Sequence, residues 1–401
     1  MNTVNIYCVN TGEKRIYPIG VTLEEIKDDF QVKLINPILG ALVNNKVKEL
    51  SFVFVKNKKV EFIDYSHPDG MRLYIRSLFF ILFAAVREVF PEVKLKMMHG
   101  ISRGYYCELA GLNRTITDSD IFAIKSEMRQ LVVKDIPFEK IGLPTEEAVE
   151  ICNKQNLRYK AKLFEQQGAM FSYLYFMGDQ ANYFYGHQVP STGYLQVFDL
   201  VSYYDGLLLR IPNPNKFSEV QPYSTNDKLF EVFQEHKDWA EILNVPNVAN
   251  LNENAMNGLS GDIIKISEAF HEKKIAEIAN LINERRDKVK IVLIAGPSAS
   301  GKTTFSKRLM VDGASLVCSV ESTICPVKAA LTAISAVSKS RISPIMIISG
   351  SWRRNERSAA AKLRPISSCI CTWLMPAKLN STGSSAVEIF SDTLFSSAIA
   401  E

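Results

Sequence analysis

The sequence lacks long apolar runs, paired cysteine motifs and abundant histidine. Its longest apolar stretch, Leu78 to Val86 (LFFILFAAV), is less than half of the roughly 20 residues that span a bilayer, and it is flanked by Arg76 and Arg87. It predicts a buried helix, and no membrane partner is expected. No apolar segment follows a basic start at the N-terminus (MNTVNIYCVNTGEKR), so no secretory signal is read and a cytoplasmic location is expected. Seven cysteines, an odd number without a CxxC pair, fit reduced thiols better than a disulfide framework. The net charge of +4 is too small to demand a nucleic-acid or membrane partner. With 47% hydrophobic and 22% charged residues, the 401-residue chain is able to build about two or three cored domains.

Composition breaks near residue 311. From Val311 to Glu401 there are 18 serines and 12 alanines, and no tyrosine, histidine or glutamine. Four of the seven cysteines and two of the three tryptophans also lie there. Nine Lys and Arg stand against six Asp and Glu, so most of the chain's excess charge belongs to this tail. Two readings are open for residues 312–401: a Ser/Ala-rich appendage, or translation out of frame. The second is favoured, because the change follows within a few residues of a well-formed motif. Arg353, Arg354 and Arg357 read as a solvated basic patch.

Residues 1–64 alternate in short segments: VNIYCV, KRIYPI, a helix opening at Thr22 with Glu25 in the capping-box position, then ALVNNKVKEL and VEFID as further strands. This layout resembles the TGS domain, the β-grasp module at the start of threonyl-tRNA synthetases. The blocks VKLKMMHGISRGYYCEL, ITDSDIFAIKSEMRQLVVKDIPFEKIGLPTEEAVEIC and GHQVPSTGYLQVFDL, in that order, resemble the editing domain that follows TGS in the same synthetases. In that family two histidines four apart and a Cys-x-x-x-His pair form a metal-type site that removes misattached serine. The resemblance places these positions at His67, Met71, Phe184 and Gln188, with His187 one place early, so neither zinc nor hydrolysis is expected over residues 65–225. The aromatic residues Tyr183, Phe184, Tyr185, Tyr203 and Tyr204 read first as core and second as an RNA-stacking surface.

A helical connector is expected over 226–288, with Ile263, Ile266, Phe270, Ile278 and Ile282 on one face. The apolar run IVLIA then leads into Gly296, Pro297, Ser298, Ala299, Ser300, Gly301, Lys302 and Thr303, matching G-x-x-x-x-G-K-[ST], with the helix TTFSKRLM behind it. Glycine at 296 and 301 permits the backbone angles of an anion nest. Lys302 is placed to reach the β- and γ-phosphates, Thr303 to ligate Mg2+ and Thr304 to meet the α-phosphate, so ATP and Mg2+ are the expected cofactors.

The wording GPSASGKTTFSKRL resembles the uridine-kinase branch of phosphate-loop kinases, and a known bacterial family fuses TGS, editing-like and uridine-kinase-like domains. The fold class this implies is an α+β N-terminal half (β-grasp TGS domain plus editing-domain-like fold) followed by the start of an α/β P-loop kinase domain at residues 289–311. The implied activity is transfer of the ATP γ-phosphoryl to a nucleoside 5'-hydroxyl. The acidic motif that ends the family's next strand is missing here: neither Asp312 nor Asp392 suits it, no catalytic residue is assigned, and this chain is expected to lack transfer. The alternative is an ATP-responsive regulatory protein that binds RNA or a small ligand through its TGS and editing-like domains.

Overall fold

The computed structural model describes residues 3–285, 287, 291–295, 300–311, 345–348 and 386–389. It divides into two compact units, Met1–Gly258 and Leu259–Glu401.

The first unit opens with β1 (Thr3–Cys8), β2 (Lys14–Pro18), α1 (Leu23–Asp29), β3 (Gly40–Val43), β4 (Lys46–Lys48) and β5 (Lys58–Ile63). The strands form one mixed sheet in the order β2-β1-β5-β3-β4, with β1 and β5 parallel. Alternation along β1 sends Val4, Ile6 and Cys8 inward, where they meet Leu23 and Ile26 of α1 and Phe54 and Phe62. The expected capping box is present: the Thr22 hydroxyl accepts from the Glu25 N–H at 3.3 Å, and Glu25 accepts from the Thr22 N–H at 2.7 Å. ALVNNKVKEL, expected as one strand, is instead the hairpin β3–β4. Asn44 and Asn45 adopt φ of 49° and 63°, the left-handed pair that a tight two-residue turn requires and asparagine tolerates.

The long helix α2 (Pro68–Val89) follows, opened by proline in its first turn and carrying Leu78–Val86 in a buried run. Glycine is required at position 70, because a Cβ would stand 1.9 Å from the Asp64 carbonyl. Around α2 are β6 (Lys94–Ile101), β7 (Gly104–Ala110), α3 (Asp118–Lys134), β8 (Glu139–Pro144), α4 (Thr145–Lys154), α5 (Arg158–Gln167), β9 (Phe171–Met177), β10 (Gln180–Asn182), β11 (Asp199–Tyr203) and β12 (Gly206–Arg210). They form two antiparallel sheets, β11-β12-β7-β6 and β10-β9-β8, and one continuous core with α2. The hairpin β13 (Pro212–Asn213) and β14 (Lys216–Val220) leads to α6 (Asp227–Ile242) and α7 (Val248–Met256). Helix α6 seats Phe230 flat on Tyr204 at 3.8 Å and Phe233 on His99 at 3.8 Å, and Lys237 pairs with Glu108 at 2.9 Å.

The second unit holds α8 (Ser260–Glu284), β15 (Ile291–Ala295), α9 (Lys302–Val311), β16 (Ile345–Ile348) and β17 (Ala386–Ile389). Its core joins Ile275, Ala279 and Ile282 of α8 to Val292, Ile294 and Leu309. Two expectations change here. The connector over 226–288 does not stay one piece: α6 and α7 belong to the first unit and α8 to the second. On α8 only the C-terminal part is buried, while Ile266 is exposed. The α/β kinase start is also not what is seen. β15 lies between β16 and β17 and pairs antiparallel with both, whereas a phosphate-loop kinase sheet needs parallel neighbours reached through crossover helices. The apolar strands IMII and AVEI satisfy the edges of β15 directly. The frame-shift reading of 312–401 otherwise falls outside the described residues. Among those residues, no helix is long and apolar enough to cross a membrane.

Candidate functional site

The residues expected as a degenerate metal site are not gathered as expected. His67 is the N-cap of α2; its Nδ1 accepts from the Asp69 N–H at 3.1 Å, so it closes the helix end. Met71, one turn on, packs against the main core. Phe184 and Gln188 meet α2 further along: the Phe184 ring lies 5.2 Å from Phe80, and Gln188 Oε1 accepts from the Ser77 hydroxyl at 2.6 Å. Nine residues of helix, about 13 Å at 1.5 Å per residue, separate Met71 from Phe80. The helical pair four apart that faces the later segment is therefore Arg76 and Phe80. Arg76 Nη1 donates to the His187 carbonyl at 2.9 Å, and its guanidinium lies where a Cβ on Gly186 would sit, 2.6 Å from Cζ. The placement of His67 and Met71 beside Phe184 and Gln188 is corrected accordingly: the α2 side chains that meet this segment are Arg76, Ser77 and Phe80.

The filled cleft is well packed. Phe80 is fully buried and also stacks on Phe138 at 5.6 Å. The Ser77 hydroxyl accepts from the Val189 N–H at 3.0 Å, which ties the Gln188 segment to α2. Gln188 Nε2 is buried without a hydrogen-bond partner among the described residues. Lys160 of α5, buried and missed in the sequence, donates to Asn182 Oδ1 and to the Tyr183 carbonyl at 2.9 Å, with Nζ 5.3 Å from the Phe184 ring. Burial pushes its pKa down to about 8. Arg76 is also lowered by burial and stays charged.

Beside the cleft, Glu49 reaches from the loop after β4. It accepts from the Tyr175 hydroxyl and from the Gln188 N–H at 3.1 Å, and His187 Nδ1 stands 3.2 Å away, at ion-pair distance but outside hydrogen-bond geometry. Burial pushes the Glu49 carboxyl up; His187, Tyr175 and the Gln188 N–H more than offset this, leaving it below the usual carboxylate range. No group of three His, Cys, Asp or Glu side chains that could hold a metal ion occurs among the described residues. Of the expected aromatic cluster, Tyr203 is buried in the core under α6, whereas Tyr185 is 89% exposed.

In the phosphate motif, Gly296, Pro297, Ser298 and Ala299 lie outside the described residues. Gly301 has φ +75°, the left-handed angle for which glycine was expected there. Helix α9 begins at Lys302, whose Nζ lies 3.5 Å from the Ser300 hydroxyl. Thr303 and Thr304 follow in its first turn, the end of a helix that favours negative charge.

No family model matches the chain. It is similar to the threonine–tRNA ligase of Desulforamulus reducens, with 31% identity over 193 residues, 48% of this chain and 30% of that protein. The threonine–tRNA ligase of Polynucleobacter necessarius is 32% identical over 192 residues, 47% of this chain and 30% of the relative. That of Clostridium kluyveri is 27% identical over 262 residues, 63% of this chain and 40% of the relative. These matches span well under half the length of the relatives. They overturn the nucleoside-kinase function and enzyme class: the relatives are ligases acting with tRNA, and an eight-residue phosphate motif specifies anion binding without specifying an acceptor.

Proposed function

We propose that the chain is an RNA-binding regulatory protein on a synthetase-derived scaffold, with residues 1–64 acting as a TGS-like domain and 65–225 as an editing-like domain without hydrolytic chemistry. The observation that carries this is the filled cleft. Arg76, Ser77 and Phe80 of α2 pack against the 184–188 segment; these three offer no imidazole or thiolate to hold a metal, and their one hydroxyl, Ser77, is tied to Gln188 Oε1 and the Val189 N–H. Similarity to proteins named for tRNA supports RNA as the ligand.

The second part of the reading is that ATP with Mg2+ binds at Gly296 to Thr304 and tunes RNA affinity. Gly301 allows the loop to turn, Lys302 neutralises phosphate charge and Thr303 offers a hydroxyl to the ion. The test is a mobility-shift titration of the full chain against a tRNA transcript, with and without ATP and Mg2+. Saturable binding, with an affinity that changes on adding ATP, is expected. Absence of any shift up to high micromolar protein contradicts the reading.

A further inference from the structure

The three-stranded sheet β10-β9-β8 has two faces that differ in character. In its antiparallel register Lys140 stands opposite Tyr175, Gly142 opposite Tyr173 and Pro144 opposite Phe171, so these share one face. The other face carries Leu174, fully buried in the main core. On the first face the aromatic residues recur at every second position of β9: Phe171 is 61% exposed and Tyr173 is 55% exposed. Tyr175 closes the row, buried and bonded to Glu49 and to the Gly186 carbonyl at 3.1 Å. The neighbour of that glycine, Tyr185, is open to solvent at the same end.

Three features set this row apart from scattered surface aromatics. Gly142 leaves room for the Tyr173 ring to lie over the neighbouring strand; a Cβ there would come within 2.9 Å of the ring edge. Lys140 holds its ammonium 5.1 Å from the Tyr173 centroid and 5.7 Å from that of Tyr175, a cation placed between rings. Two residues of strand also set successive rings about 7 Å apart, about twice the 3.4 Å spacing of stacked nucleotides. Splayed single-stranded bases fit that spacing, and a duplex, whose base faces are hidden, does not.

We infer that the Phe171–Tyr173 face, rimmed by Lys140, is a stacking platform for single-stranded RNA, with bases on the two rings and phosphate beside the lysine. This rests on the RNA-binding reading above and narrows it to a surface and a strand state. Lys140, held over the Tyr173 and Tyr175 rings, puts a cation on the row and favours a polyanion over an apolar protein partner.

The test uses the full chain and fluorescein-labelled oligouridylate of about 12 nucleotides, read by anisotropy, with circular dichroism as the fold control and sedimentation for self-association. The double variant Phe171→Ala/Tyr173→Ala is expected to bind about tenfold or more weakly with unchanged helicity, and Tyr173→Phe to retain affinity because the ring alone stacks. Lys140→Ala is expected to flatten the salt dependence by about one counterion. A folded double variant with wild-type affinity overturns the platform and leaves the RNA reading standing. So does a wild-type chain that binds tRNA but not the oligonucleotide, or a double variant that only dissociates a dimer. Failure to bind either RNA overturns both.

Discussion

In the cleft beside α2, within the part of the chain similar to threonine–tRNA ligases, the packing is tight and the facing side chains carry no metal-ligating set. Around Lys302 the reverse holds: the motif residues stand in order in the sequence, and among the described residues β15 has antiparallel neighbours where a kinase sheet has parallel ones. The difference shows how separately a scaffold and its chemistry are encoded. A core is held by many apolar contacts, and Phe80 and Phe184 pack into it without needing any polar site chemistry beside them. A short motif is local, and its presence says little about the sheet around it.

The sharpest way to break the comparison is to unfill the cleft. Phe80→Ala removes a fully buried ring that touches Phe138 and Phe184 and is expected to cost about 3–5 kcal/mol, read by urea unfolding. A loss below about 1 kcal/mol means that the cleft is loosely packed and open to a ligand. On the other side, Lys302→Ala is expected to weaken ATP binding about a hundredfold by calorimetry, while His67→Ala, which removes only a helix cap, leaves it unchanged. Equal losses from both contradict the assignment of the phosphate site.

Ser77→Ala sharpens the picture within the cleft. It leaves Gln188 Oε1 and the Val189 N–H unpartnered in a buried setting, for an expected cost of about 1–3 kcal/mol by the same unfolding measurement. A smaller effect is expected at His99, stacked on Phe233 with Nε2 buried and unpartnered among the described residues. Burial lowers its pKa from 6.5 to about 4. The unfolded chain therefore takes up a proton below pH 6.5 that the folded chain refuses until about pH 4, so stability falls as pH drops through that window. His99→Phe should remove this part of the pH dependence; an unchanged slope between pH 6.5 and 4 rules it out.

Local signals were readable and long-range ones were not. The Thr22–Glu25 capping box and the buried helix around Leu78 are written in neighbouring residues and stand as read. The hairpin at Asn44–Asn45 was present in the sequence as a pair of turn-formers but hidden inside an alternating run. The register of the cleft on α2 could not be read, since His67 offered a histidine where a histidine was sought, and only packing shows that Arg76 meets the His187 carbonyl, Ser77 meets Gln188 and Phe80 meets Phe184. Likewise Glu49 and Tyr175 are 126 residues apart and carry no mutual pattern. The parallel neighbours expected for β15 came from the motif's family and not from any strand in the text that follows it.

The most direct test mixes the full chain with threonine tRNA charged with serine and follows binding and ester integrity together. A filled cleft on an RNA-binding scaffold predicts saturable binding with the ester decaying at the rate seen without protein. Catalytic deacylation by substoichiometric protein would contradict the account, because Arg76, Phe80, Phe184 and Gln188 supply no general base and the Ser77 hydroxyl is tied to Gln188 and Val189.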